Sequence, residues 1–320
     1  MKKFILIFIA FVMLTDAFSQ QERQVSHYMY DLISVNPGSA GSSDQISANA
    51  IGRQQWVGID GAPVDLIVNL SAPFKLFNAN HGAGISIWKD ELGFNNDINL
   101  SVSYAYQFSV GGGRLGLGIS GIFDNQQMDN PEWIIPSSPV HDPSNDLAIP
   151  TGDQNEYTID LGAGLFYRTE ELYVGLSATH ILEDEFEYQA EGTTTASSSL
   201  KMNRHYYLTA GYNLQLNNPM FELLPSVFIQ SDARMTKIDL NTTFMYNKKF
   251  WAGVTYRVGA AVVGMIGIEI LNGVRVGYSY DFDTSALSNF SKGSHEVMIG
   301  YSFTVGMDKI PQKYKSIRFL

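Results

Sequence analysis

NDINLSVSYAYQFSVGGGRLGLGISGIF, residues 96–123, is a complete hairpin written in two-residue periods. Ile98, Leu100, Val102, Tyr104, Tyr106 and Phe108 fall on one face of an extended strand, and Asp97, Asn99, Ser101, Ser103, Ala105 and Gln107 on the other. After Gly111, Gly112 and Gly113 the chain returns with Leu115, Leu117, Ile119 and Phe123 opposite Gly116, Gly118, Ser120 and Asp124. One face is apolar and the other polar. In a sandwich of two sheets the apolar faces pack on each other. In an outer-membrane barrel they face lipid and the polar rows line the lumen. Alternation alone does not separate the two, so strand count, loop lengths and export signals must.

The composition favours β structure: 45% of the residues are hydrophobic, 17% are charged, and there are 29 Gly, 17 Tyr and 19 Phe among 320. Lys2 and Lys3, the apolar run of residues 4–14 and Ala17-Phe18-Ser19 have the layout of a secretory signal peptide over residues 1–19. The mature chain is expected to begin near Gln20. No later stretch is apolar enough to cross a bilayer as a helix, so a mature chain that spans a membrane must do so as strands. The absence of cysteine excludes disulfides, thiolate metal sites and a Cys nucleophile, and a net charge of -11 makes nucleic acid a poor partner.

Residues 24–44 show no alternation and end in turn residues, as a short helix with a loop or an irregular lead-in would. About fourteen strands of near ten residues follow: 46–54, 63–73, 82–89, 96–110, 114–124, 156–168, 172–182, 202–214, 222–231, 236–246, 249–257, 261–270, 274–282 and 295–304. The even-numbered connections are mostly short, whereas the three longest (125–155, 183–201 and 282–294) are all odd-numbered. Long and short connections segregate in this way in a membrane barrel with both termini in the periplasm. The expected architecture is therefore an all-β antiparallel transmembrane barrel of about 14 strands, with short periplasmic turns and longer extracellular loops. Residues 1–19 form its signal peptide, 20–44 a periplasmic or plug segment, 45–305 the barrel and 306–320 a basic periplasmic tail.

Chemistry is sparse. The six histidines (His27, His81, His141, His180, His205 and His295) stand at no metal-ligand spacing and beside no nucleophile motif. Asp142, Asp146 and Asp153 could offer oxygens to Ca2+ but lack the EF-hand pattern, and a solvated acidic loop accounts for them as well. No cofactor is implied. RQQWVGIDGAP, residues 53–63, breaks the alternation with a Trp, two Gly and a Pro, the makeup of a specifically packed loop. It is either a folded-in structural loop or a partner-contact surface, and Arg53, Trp56, Asp60 and Pro63 are the candidate contact residues. Arg53 and Asp60 are placed to pair across it.

YMYDLISVNPGSAG (residues 28–41), RQQWVGIDGAP, HGAGISIWKDELGFNNDINLSVSYAYQF (81–108) and the terminal IRFL (317–320) together resemble the PorP/SprF family of outer-membrane proteins of the Bacteroidetes type IX secretion system. Gly38 and Ser39 depart from the Ala and apolar residue expected after Asn36-Pro37. The resemblance implies an outer-membrane barrel without enzymatic activity. It would dock or anchor a secreted, adhesin-like cargo bearing a C-terminal sorting domain, with a link to gliding or adhesion, and other secretion-system components would be further partners. Two other functions stay open from the residues: a passive porin, which predicts an open polar lumen, and a barrel hydrolase, which predicts a Ser or Asp converging with a His at one rim.

Overall fold

The computed structural model describes residues 23–129, 152–188, 198–271 and 273–304. The expected signal peptide, the basic tail with IRFL, and Asp142 and Asp146 lie outside the described residues. Fourteen strands close into one antiparallel barrel. They are β1 (Gln45–Gln54), β2 (Val64–Leu76), β3 (Ala79–Leu92), β4 (Asn95–Val110), β5 (Gly113–Met128), β6 (Gln154–Arg168), β7 (Leu172–Thr179), β10 (His205–Tyr212), β12 (Phe221–Ser231), β13 (Thr236–Tyr246), β14 (Phe250–Arg257), β15 (Ala261–Ile270), β16 (Val274–Asp283) and β17 (Ser294–Thr304). Each pairs with the next, and β17 returns to β1 with Met298 opposite Ile51. Closure leaves no exposed sheet edge around the ring, which is what a hydrocarbon environment demands of strands.

Three short strands add to the ring: β8 (Glu185–Tyr188) pairs with β9 (Ser198–Lys201) inside a stretch that reads as loop, and β11 (Leu214–Gln215) follows β10 after Asn213 and pairs with the start of β12. Two boundaries differ from the sequence reading for local reasons. Phe77 and Asn78 both take positive φ (48° and 62°), giving a two-residue turn that lets β2 and β3 run further than their hydrophobic pattern. Strand β7 stops at Thr179 because His180 turns to φ 50° and the Asp160 carboxylate takes the Leu182 N–H at 2.8 Å.

The apolar rows look outward. Ile119, Ile159 and Val102 are 65%, 67% and 54% exposed, whereas Ser103 and Asp160, on the opposite face of the same wall, are 4% and 0% exposed. Among the described residues no stacked second sheet covers them. Tyr104, Tyr157, Tyr206, Tyr256, Tyr278 and Tyr301 lie on the same outer surface, where rings with a polar tip suit the interface. Charge on this surface is expected to be costly: Ile119→Arg should lower stability in lipid vesicles by about 2–4 kcal/mol. Denaturant titration should show Ser101→Lys, which points into the lumen, behaving differently from it.

The barrel is taller on one side. Strands β3, β4, β5 and β6 have 14, 16, 16 and 15 residues against 8 in each of β7, β10 and β14. The surplus lies at the end away from the chain's short hairpin turns: β7 stops where Ala178 faces Ala163, leaving residues 154–162 of β6 above it. That end, which also carries the long connections, is called the loop end below, and the other the turn end. Met128, Phe186 and Tyr188 form a small buried cluster with Phe94 and Met202, packing the β8–β9 hairpin against the raised wall.

Candidate functional site

Residues 25–41 thread the lumen. The segment has no periodicity because it follows no regular element for long: a 3-10 turn (Tyr28–Tyr30), one helical turn α1 (Leu32–Val35) and a second 3-10 turn (Pro37–Ser39). Its own turns satisfy part of the backbone, with Tyr30 N donating to His27 O at 2.9 Å and Asn36 N to Leu32 O at 2.9 Å. The barrel wall satisfies much of the rest. Gln107 Nε2 donates to Ala40 O at 2.6 Å, Ser177 Oγ to Val35 O at 2.7 Å and Asn49 Nδ2 to Tyr30 O at 3.1 Å, and in the other direction the segment's Asn36 Nδ2 donates to the wall's Leu165 O at 3.0 Å. A buried chain with these partners avoids the penalty of orphaned peptide groups.

Glycines on the inner face make room for it. A Cβ at Gly82 would overlap the Ala40 carbonyl, one at Gly116 the Gly38 carbonyl, one at Gly118 the Gly38 nitrogen, and one at Gly164 the Asn36 side chain. These four positions form a socket, and at the first three of them backbone touches backbone. The small inward residues that sequence alone allows as the lining of an open pore are thus filled by the chain's own segment.

Toward the loop end the segment is held by buried charge. Arg53 Nη2 donates to Asp281 Oδ2 at 2.7 Å, and its Nη1 to Glu296 Oε2 at 3.2 Å and Ser26 Oγ at 3.0 Å. Glu296 also accepts the backbone N–H groups of Ser26 (2.8 Å) and His27 (2.7 Å), and lies 2.7 Å from His27 Nδ1. Arg257 extends the set, bonding Asp281 at 2.6 Å and Asp239 at 3.1 Å. Two guanidinium groups and three carboxylates, each at most 5% exposed along the side chain, therefore tie β1, β13, β14, β16 and β17 to residues 26 and 27. Lower down, the Asp31 carboxylate accepts hydrogen bonds from Ser34 and Asn69 and lies 3.7 Å from the Arg23 guanidinium.

Beside this belt, starting from Asp65 opposite Arg53, the inner face of the raised wall is acidic. Asp65, Asp90 and Asp97 stand directly opposite one another on β2, β3 and β4, and Gln126 follows on β5. His180 Nδ1 lies 3.7 Å from Asp124 and 3.8 Å from Asp160, joining the end of β7 to β5 and β6. Both carboxylates and the ring are nearly fully buried there. Among the described residues no group of three His, Cys, Asp or Glu is arranged to hold a metal ion.

The structure separates the four candidate contact residues. Arg53 is 3% exposed and belongs to the charged belt, so it pairs with Asp281 and Glu296 and not with Asp60. Pro63 is buried, its carbonyl accepting the Gln55 N–H at 2.9 Å. Trp56, at φ 44°, donates its backbone N–H to Ser294 Oγ, and Asp60 is exposed. The loop is stitched on both sides, through Val57 to Gly293 and Lys292, and through Gly61 to Gly93. The belt and the socket were missed by sequence reasoning. Nothing in the sequence assigns Arg53, Asp281 and Glu296 to residues 26 and 27.

Residues 17–301 match the family model of the type IX secretion system membrane protein PorP/SprF. No curated protein matches the chain. Among solved structures, the Ralstonia pickettii toluene transporter TbuX is similar with a TM-score of 0.50 at 10% identity, over 84% of this chain and 92% of that one. The CymD monoaromatic hydrocarbon channel gives 0.49 at 11% identity over 85% and 92%, and the Acinetobacter baumannii outer membrane protein Omp33 gives 0.45 at 10% over 83% and 100%. At such identities the likeness to TbuX speaks for the fold alone, a β-barrel of the outer membrane.

Proposed function

The chain belongs to the type IX secretion system membrane protein family PorP/SprF, and from that premise we propose that it is a non-enzymatic docking barrel, holding a secreted, adhesin-like cargo at the cell surface. The observation that carries this reading is the asymmetry of the loop end. The lumen below it is occupied by residues 25–41, while β3–β6 and the packed β8–β9 hairpin rise past the rim and present an acidic wall. A passive pore has no use for a socketed segment across its lumen. With the short turns in the periplasm, as in outer-membrane barrels generally, the raised wall faces outward. It would take a cargo surface bearing basic groups, with Asp60 and Trp56 at its edge, and loop-borne recognition on a rigid scaffold is the common arrangement.

The test is co-purification from native outer membranes with a type IX cargo carrying its C-terminal sorting domain. Replacing residues 185–201 by a short turn, or combining Asp90→Asn with Asp97→Asn, should cut retained cargo at least about tenfold, the equivalent of 1.4 kcal/mol. Trp56→Ala with Asp60→Ala should weaken it less. Full retention in all three variants would refute docking at the loop end.

A further inference from the structure

Strand β6 outruns its neighbour on one side only. It pairs with β5 along residues 154–168 but with β7 only from Ala163 to Arg168. The Leu161 carbonyl, which accepts the Ile181 N–H at 3.0 Å, shows that the odd-numbered residues of this stretch turn their peptide groups away from β5. The Ile159 N–H reaches Asp184 Oδ2 at 3.4 Å. The chain then leaves this edge: Phe186 packs with Met128, and the Tyr188 hydroxyl bonds Gln126 on the inner face of β5. Among the described residues, the Ile159 carbonyl and the N–H and C=O of Tyr157 and Asn155 therefore have no partner on that side.

Unpaired peptide groups are not tolerated in hydrocarbon, so this edge stands clear of the bilayer core. Lipid tails then do not account for the exposure of Tyr157 (64%) and Ile159 (67%). An open edge is a template for a further strand, and proteins commonly blunt such edges with Pro, Lys or a bulge. Strand β2 shows the defence: it overhangs β1 at the turn end with residues 72–76, and Pro73 and Lys75 stand there. QNEYTIDL, residues 154–161, carries neither residue and keeps an unbroken register with β5. Its Tyr-Thr-Ile centre favours pairing.

We propose that the raised edge of β6 is a strand-addition site, taking an extended polypeptide segment antiparallel to residues 155–159. The segment continues the sheet through main-chain hydrogen bonds. It carries apolar side chains opposite Tyr157 and Ile159 and a basic one opposite Glu156, which has no ion-pair partner among the described residues. This rests on the docking reading and names the form in which a cargo attaches. A second copy of the barrel does not fit the edge. Two copies in one membrane keep the same up-down sense, so their tilted β6 strands meet parallel and cross at about 70–90°, twice the strand tilt.

Fluorescence anisotropy with labelled acetyl-Arg-Val-Lys-Val-Arg-Val-amide, on the full-length barrel in detergent micelles, tests the site. The peptide should bind saturably. N-methylation of the valine after the lysine, whose N–H faces β6, should weaken it at least about tenfold, whereas N-methylation of the lysine, whose N–H points away, should change it by less than about twofold. Tyr157→Pro should abolish binding and Tyr157→Thr should keep it; the proline removes no β5 ladder bond, because the N–H at that position faces away from β5. The Tyr157 amide should exchange fast with solvent in the free barrel and at least about tenfold more slowly with saturating peptide. Indifference to both methyl groups, or a Tyr157 amide already protected without peptide, would overturn strand addition, and neither outcome depends on how a variant folds. Cargo lost from the Asp90→Asn, Asp97→Asn variant with no peptide binding would sink the edge site and leave docking intact; peptide binding with cargo retained in every loop-end variant would do the reverse.

Discussion

A barrel lacking residues 23–41 is expected to conduct ions in planar bilayers in steps at least about tenfold larger than those of the intact protein, because a ring of this strand number encloses more than its inward side chains can fill. The surplus volume is taken by the threaded segment: Ser26, His27, Asn36 and Ala40 are 0%, 0%, 1% and 0% exposed, contacts that an empty lumen could not supply. A second route to the same state is Gly118→Val. Its Cβ would occupy the space of the Gly38 backbone while leaving every ladder hydrogen bond of β5 in place. The valine barrel should keep its β-sheet content yet expose residues 23–41 to added protease. Open-pore conductance in the intact protein, unchanged by the deletion, would show that the segment does not close the lumen.

Much of the barrel could be read in the sequence, since a strand that separates lipid from lumen must write that difference into alternate residues. Ile98, Leu100, Val102, Tyr104 and Phe108 announce the outer face one by one, and the structure turns them outward. The long connections fall at one end as their parity requires. What could not be read has a common cause, the sequence distance between partners. Ser26 meets Glu296 across 270 positions, and Arg53 meets Asp281 across 228, so the nearby Asp60 was the more visible partner for Arg53 and the wrong one. The socket glycines carry a similar ambiguity. A row of small inward residues is written alike for a channel and for a close-fitting insert, and only the contact of Gly116 and Gly118 with the Gly38 backbone decides between them. Strands β8 and β9 were hidden because four-residue pieces in a long polar connection carry too little periodicity to register.

Arg53→Met should cost about 3–5 kcal/mol in denaturant unfolding from lipid–detergent mixtures, the range seen when one member of a buried ion pair is removed. The arginine is 3% exposed and spends its two terminal nitrogens on Asp281, Glu296 and Ser26. Methionine can follow the aliphatic stem but supplies no charge, and Asp281 would then share Arg257 with Asp239. Glu296 is the worse placed, because Arg257 reaches Asp281 and not Glu296. If the loss is electrostatic, adding Glu296→Gln to Arg53→Met should recover most of it: the amide oxygen still accepts a backbone N–H from the luminal segment, and no uncompensated negative charge remains on β17. Residues 23–41 should accordingly be protease-sensitive in the single variant and protected again in the double one. Equal losses in both variants would mean that Arg53 acts through the packing of its stem, and the charged belt would then not be what holds the segment in place.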